Sequence, residues 1–175
     1  MRIDWATLFI TTAAILILIP PAAANAGVID PAAAGAAYKT ECGACHFAYL
    51  PGLLPERSWR KLLSAAGLAQ HFGENAELPE ARRTEIVGFL VANAADRVPF
   101  SLAKKIVASL PSGQTPLRIT DVPYIRRKHR EIPAKRLEHP QVRGLSYCDA
   151  CHRKADAGYF DDDGVDIPGY GRWKR

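Results

Sequence analysis

The chain has 175 residues with a formal net charge of +5, and its one methionine is Met1. Its length suits one domain or two small ones. The charge is uneven, since residues 97–147 carry eleven basic and three acidic side chains. A basic segment can bind nucleic acid, but that partner is excluded here because the N-terminal segment, described next, predicts export of the chain.

The N-terminal segment predicts a secretory signal peptide. Arg2 precedes an apolar run from Trp5 to Ile19, and an Ala-x-Ala cleavage site ends at Ala26. About 15 apolar residues fall short of the ~20 that a membrane-spanning helix needs, so cleavage is favoured over an uncleaved anchor. We therefore expect residues 1–26 to be a cleaved signal peptide and the mature protein to be periplasmic.

Two Cys-x-x-Cys-His motifs, at 42–46 and 148–152, organise the mature chain. This spacing is typical of c-type haem attachment, because two thiols one helical turn apart reach the vinyl groups of one porphyrin while the adjoining imidazole coordinates the iron. The motifs contain all the cysteines of the chain: Cys42, Cys45, Cys148 and Cys151. The sequence thus predicts two covalently attached c-type haems, with His46 and His152 as iron ligands.

The first half of the mature chain is predicted to be helical. Asp30-Pro31 and the alanine-rich run after it favour a helix that reaches the first motif, and residues 49–55 interrupt it as a loop. Apolar periodicity predicts further helices over about 55–70 and 79–95, with a loop around His71 between them. This order resembles the class I cytochrome c fold, in which the first and last helices cross beside the haem.

The second half has weaker signals. We expect short helices over about 101–110 and 120–131, irregular chain over 132–147, a short helix at the second motif, and a looped tail with no strand. The predicted fold is mainly α. It comprises a class I cytochrome c-like haem domain over residues 27–97 and a smaller, less regular haem domain with a loop-rich tail over residues 98–175.

Composition restricts the second axial ligand of each iron. Cytochromes commonly pair His with Met or with His, and the mature chain has no Met. His71 lies in the loop before the third helix, where class I cytochromes place their sixth ligand. For the second haem the residues leave two alternatives, His129 on an apolar helical stripe and His139. Bis-His ligation predicts low reduction potentials.

Several motifs outside the attachment sites resemble the bacterial dihaem cytochrome c family. They are residues 49–55 with Trp59, residues 71–76, 118–120 and 127–129, and the ending 160–168. The resemblance implies an electron-transfer protein, not an enzyme, with His71 and His129 as the sixth ligands of two bis-His haems. It also implies redox partners, namely a membrane b-type cytochrome and a small oxygen-binding haem protein.

Alternatives and details remain open at this point. A haem with an open or displaceable iron position would make the protein a peroxidase or a small-gas binder. Zinc binding by the four cysteines is disfavoured, because both pairs continue into His.

The basic 97–147 segment, with Arg126-Arg127-Lys128, is either a solvated face or a docking surface. We expect the Pro51 carbonyl to accept a hydrogen bond from His46.

Overall fold

The structure is a computed structural model that describes residues 35–173. This part of the chain is mainly helical, with eight α-helices and one short two-stranded sheet. The helices are α1 (Ala36–Cys42), α2 (Glu56–Leu62), α3 (Ala65–Ala69), α4 (Glu80–Ala92), α5 (Ser101–Ser109), α6 (Pro123–His129), α7 (Ala134–Leu137) and α8 (Cys148–Cys151). The predicted signal peptide and the predicted helix start at Asp30-Pro31 lie outside the described residues.

Helices α1, α2 and α4 pack together in the first half of the described chain. Helix α4 packs against both α1 and α2, and it buries Ile86 and Leu90 completely. The rings of Tyr38 on α1 and Phe89 on α4 lie 5.9 Å apart between centroids. This contact between the first and last helices of the unit agrees with the predicted class I-like arrangement.

The helix predicted over residues 55–70 is wrong in one respect, because it is two helices. Helix α2 ends at Leu62, and α3 begins after Ser64, whose side-chain oxygen accepts a hydrogen bond from the Gly67 N–H at 3.0 Å. Serine favours this N-cap position because its side chain satisfies an N–H that the helix leaves unpaired. The periodic apolar pattern continues across the break and hides it.

The apolar core continues beyond residue 97. Leu102, Ala103 and Ile106 of α5 belong to the same buried cluster as the α1–α4 residues, and α5 packs against the 3₁₀ turn Pro51–Leu53. Ile119 and Val122 also join this cluster. A second, smaller cluster contains Val142, Val165 and Ile167. The domain boundary near residue 97 therefore stays a prediction, and the packing across it is continuous.

The second half is irregular, as expected, with two differences. The helix predicted over 120–131 is divided into a 3₁₀ turn at Ile119–Asp121 and α6, because Pro123 starts a new helix. The tail also has a small hairpin, contrary to the prediction of no strand. Its strands β1 (Asp166–Ile167) and β2 (Gly171–Arg172) pair antiparallel.

The helices in residues 35–173 are short compared with the thickness of a bilayer. No helix in this range is long and apolar enough to span a membrane.

Candidate haem sites

The first motif begins in the last turn of α1. Cys42 is the final residue of α1, and Cys45 and His46 follow in the turn after it. The Gly43 N–H donates to the Lys39 carbonyl at 3.0 Å, which keeps this turn helical in shape. The four cysteines form no disulfide bonds with one another. The local fold therefore places the two thiols of the motif about one helical turn apart, as haem attachment requires.

His71 faces His46 across the first site. Their ring centroids are 6.2 Å apart, and the two ring planes differ by 15°. His71 is held on a tight turn, where its backbone N–H donates to the Glu74 carbonyl at 2.8 Å and its carbonyl accepts from the Glu74 N–H at 3.1 Å. The structure thus brings together the two histidines that the sequence singled out for the first haem.

The expected hydrogen bond from His46 to Pro51 is wrong. The Nδ1 atom of His46 lies 2.8 Å from the Phe47 carbonyl oxygen, so its proton points to its chain neighbour. The Pro51 carbonyl instead accepts from the indole N–H of buried Trp59 at 2.7 Å. The residues between Tyr49 and Pro55 therefore support the site through packing and through Trp59.

The second site is assembled from α6, α8 and the segment before the hairpin. His152 follows α8 directly, and its ring centroid lies 6.1 Å from that of His129 at the end of α6, with an interplanar angle of 68°. Phe160 packs on His152 at 5.4 Å. The Nδ1 atom of His129 lies 2.8 Å from the Ile125 carbonyl one turn earlier, which orients its ring.

His139, the alternative for the second haem, lies elsewhere. Its ring is 6.1 Å from the Tyr170 ring, and a Cβ added at Gly169 would come within 2.7 Å of its Nε2 atom. Gly169 has a φ of 77°, so this turn needs glycine both for its backbone conformation and for the space that His139 occupies. The structure places His129, and not His139, opposite His152.

Burial favours the neutral form of one imidazole in each facing pair, His152 and His71. Desolvation, followed by the proximity of His129, lowers the pKa of His152 to about 4. Desolvation also lowers the pKa of His71, with further contributions from His46 and Arg118. A neutral imidazole is the form that coordinates a metal. Burial acts on the thiols as well, and it raises the pKa values of Cys42 and Cys148 to about 11.

The spacing of the imidazoles fits an iron between them. An imidazole-to-metal bond is about 2 Å, so two such bonds in line, together with the distance from each nitrogen to its ring centre, span roughly 6 Å. The measured separations of 6.2 and 6.1 Å agree with this value. A cavity of about 590 Å³ lies beside His152, and its lining is mixed in charge, with basic side chains such as Lys105 and Lys154 as well as the carboxylates of residues 161–163.

Tyr49 connects the two sites, a role that its place in a sequence motif did not reveal. Its ring stacks on His46 with centroids 5.0 Å apart, and its hydroxyl donates to the Ser146 carbonyl at 2.7 Å, close to the second motif. Desolvation, with the nearby Cys148 as the next cause, raises the pKa of Tyr49 to about 12. The phenol therefore stays protonated and keeps donating at physiological pH.

Comparison with known proteins identifies the family to which the chain is similar. The family described as Dihaem cytochrome c matches residues 38–160. A diheme cytochrome c from Shewanella baltica is 38% identical, with 79% of this chain and 97% of that chain covered and a TM-score of 0.64. One from Rhodobacter sphaeroides is 46% identical, with 71% and 94% covered and a TM-score of 0.63. No curated protein matches significantly.

Two attachment motifs, two facing pairs of imidazoles and a family match over well over half of the residues lead to one assignment. The matches cover nearly the whole length of both relatives, so the similarity is not limited to one attachment site. The chain belongs to the dihaem cytochrome c family of electron-transfer proteins, and it carries two c-type haems, which its Cys-x-x-Cys-His motifs fit.

Proposed function

We propose that this protein is an exported, periplasmic dihaem cytochrome that relays single electrons between redox partners through two low-potential bis-His haems. His46 and His71 would ligate the first iron, and His129 and His152 the second. The observation that carries the proposal is the separation of the two imidazole pairs, 6.2 and 6.1 Å between centroids. The four cysteines Cys42, Cys45, Cys148 and Cys151 would hold the porphyrins.

The haem irons, when bound, supply the one-electron change between ferric and ferrous states. The chain contributes ligation, burial and proximity. Tyr49 contacts His46 and reaches the loop before Cys148, which supports a short separation between the two groups and transfer within one molecule. A division into haem domains at residues 27–97 and 98–175 is part of this proposal.

The partners would be redox proteins, with a membrane b-type cytochrome and a small oxygen-binding haem protein as the candidates. The family resemblance motivates both. The basic 97–147 segment supports electrostatic docking to an acidic surface on either of them.

Low-temperature electron paramagnetic resonance of the oxidised holoprotein tests the ligation. Two strong-field nitrogen ligands keep ferric iron low spin, so both haems should give low-spin signals only. A high-spin signal from a substantial fraction of one haem would sink the bis-His assignment and favour a protein with an open iron position.

Replacing His71 identifies the ligand of the first haem. His71→Met exchanges an imidazole for a thioether, which raises haem potentials, so the first haem should become easier to reduce while the second keeps its potential. Spectroelectrochemical titration measures both. His139→Met is the matched control, since His139 packs on Gly169 away from the facing pairs, and it should change neither potential. An unchanged potential in His71→Met would refute the assignment.

A further inference from the structure

Among the described residues, His71 has no Nδ1 hydrogen bond of the kind that orients His46 and His129. The Nδ1 atoms of His46 and His129 each lie 2.8 Å from a backbone carbonyl oxygen. The Nδ1 atom of His71 is buried and has no hydrogen-bond partner among the described residues. A ligating imidazole is normally oriented through its second nitrogen, so another contact must hold this ring.

The turn that carries His71 holds Phe72 in a backbone conformation that bulky residues rarely adopt. Phe72 and Gly73 form its centre, with φ values of 57° and 107°. Positive φ at both central residues is the pattern of a type I′ turn, which favours Asn-Gly. A bulky side chain disfavours that backbone region. Phe72 is also 44% exposed, so burial of its own ring does not explain its position.

Contacts of the Phe72 ring supply the explanation. The ring packs edge-on against His71, with centroids 5.0 Å apart. The Arg118 guanidinium lies 4.0 Å above the centroid of the same ring, at the distance of a cation–π contact. Arg118 comes from the chain beyond α5 and precedes the turn at Ile119–Asp121. The His71 ring is therefore braced by Phe72, which is in turn held from a distant part of the sequence.

We propose that Arg118 and Phe72 form a latch that holds His71 on the first iron, and that releasing the latch opens this position to a small neutral ligand such as carbon monoxide. The proposal rests on the His71 ligation proposed above. In the exchange, His71 would leave the ferrous iron as a neutral imidazole with its own electron pair, and the carbon lone pair of carbon monoxide would take its place. Neither an electron nor a proton would be transferred.

Arg118 and Phe72 are positioning residues, because they act through His71. The test is the rate of carbon monoxide binding to the reduced holoprotein, followed by rapid mixing. Wild-type protein should bind slowly, at a rate limited by His71 dissociation, and His71→Ala should bind one ligand per molecule rapidly. Arg118→Ala should accelerate binding roughly two- to five-fold, the factor that corresponds to an exposed cation–π contact. Arg118→Lys keeps a cation, so its carbon monoxide binding should be slower than that of Arg118→Ala and close to the wild-type rate.

A double-mutant cycle tests whether Arg118 acts through Phe72. Phe72→Asn removes the ring and leaves a residue that the turn favours, so it should also accelerate binding. Adding Arg118→Ala to it should then have no further effect. Arg143→Ala is the matched control, because Arg143 also places its guanidinium 4.0 Å above a ring, that of Tyr147, in the other half of the chain. It should leave binding at the first haem unchanged.

Wild-type rates in both Arg118→Ala and Phe72→Asn would overturn the latch. So would additive effects in the double variant, since Arg118 would then act independently of the ring. If His71→Ala binds carbon monoxide as slowly as wild type, the ligation by His71 is wrong and the latch is wrong with it. These outcomes separate failure of the latch alone from failure of the proposed function.

Discussion

The four facing imidazoles differ in what surrounds them. His46 stacks on Tyr49 and lies nearly parallel to His71, whereas His152 contacts Phe160 and is steeply inclined to His129. Each ring plane is set by local packing and by the backbone element that carries it. The first pair comes from two turns, and the second from the ends of α6 and α8. Similar sequence motifs therefore lead to two different arrangements of facing imidazoles.

These ring planes predict two distinct paramagnetic signals. Nearly parallel imidazoles donate into the same iron d orbital and separate it in energy from its partner, whereas steeply inclined rings leave the two orbitals closer. With interplanar angles of 15° and 68°, the second haem should show the larger g anisotropy. Electron paramagnetic resonance of the oxidised protein should resolve two low-spin species of equal intensity. One species that accounts for both haems would contradict this prediction.

At the level of elements, Glu56 ties the start of α2 to the chain after α4. Its carboxylate accepts from Arg60 at 2.7 Å and forms a close ion pair with Arg97. The Glu56 backbone N–H donates to the Asp96 side chain at 2.8 Å. Hydrogen bonds from Arg97, and then from Arg60, lower the pKa of Glu56 from its usual value. This network fixes the first helices relative to the segment that leads into α5.

Glu56→Gln should destabilise the holoprotein in a pH-dependent way. Because the folded-state pKa is depressed, the stabilisation is fully present above the unfolded pKa and is lost as the pH falls through the folded value. The urea midpoint of the variant should therefore be lower at pH 7, and the difference should vanish in acid below the folded pKa. Glu85→Gln removes a local pair with Arg82 on α4 and should have a smaller effect. A pH-independent difference would exclude the ionic explanation.

The C-terminal hairpin is the second element with a defined structural task. Arg136 on α7 places its guanidinium 5.0 Å from the Tyr170 ring and 5.2 Å from the Trp173 ring. The backbone N–H of Trp173 donates to the Val165 carbonyl at 3.0 Å, and Trp173 packs on the second apolar cluster. Val165 also pairs with His152 through a β-bridge. The tail thus covers the core beneath the second attachment site.

Trp173→Ala should loosen that region selectively. Removal of a large, partly buried side chain costs about 1–3 kcal/mol of stability. Hydrogen exchange followed by mass spectrometry should show faster exchange in peptides that contain Val165 and His152, with little change in α1 and α4. Leu145→Ala is a suitable control, because Leu145 is exposed and belongs to neither apolar cluster. Uniform acceleration across the chain would argue against a local role of the tail.

At the scale of the whole molecule, the basic surface at the end of α6 is the candidate docking face. Arg126 and Arg127 are exposed there, and Arg127 lies over the Tyr124 ring at 5.3 Å. Lys128, which the sequence grouped with them, forms an ion pair with Asp162 at 2.9 Å. This pair joins α6 to the segment near His152. The two arginines are therefore the better candidates for contact with a partner.

Electron exchange with an acidic redox partner should slow as ionic strength rises, because salt screens the attraction between exposed charges. Replacing Arg126 and Arg127 together by Ala should reduce the rate at low salt and flatten its salt dependence in stopped-flow measurements. A variant with Lys39→Ala and Lys61→Ala loses the same charge from the first unit and should keep the wild-type dependence. Equal slopes in the two double variants would rule out this docking face.

Local features of the sequence predicted much of the fold and the site. Most helices were predicted from periodicity and capping, because both depend on neighbouring residues. The break at Ser64 and the hairpin after Val165 were missed, since the first interrupts a continuous apolar pattern and the second is only two residues per strand. The Phe72–Arg118 contact could not be predicted from the sequence, because no local rule pairs residues so distant in sequence.

The sequence by itself determined the chemistry of this protein. Two attachment motifs and the lack of methionine after Met1 exclude a Met ligand and make histidine the first candidate for every axial position, because ligation depends on residue type and short spacing. Only the tertiary structure decided which histidines meet. It placed His129 opposite His152 and left His139 against Gly169, because the partner of each imidazole depends on how α6, α8 and the hairpin pack. The angle between the facing rings follows from that same packing.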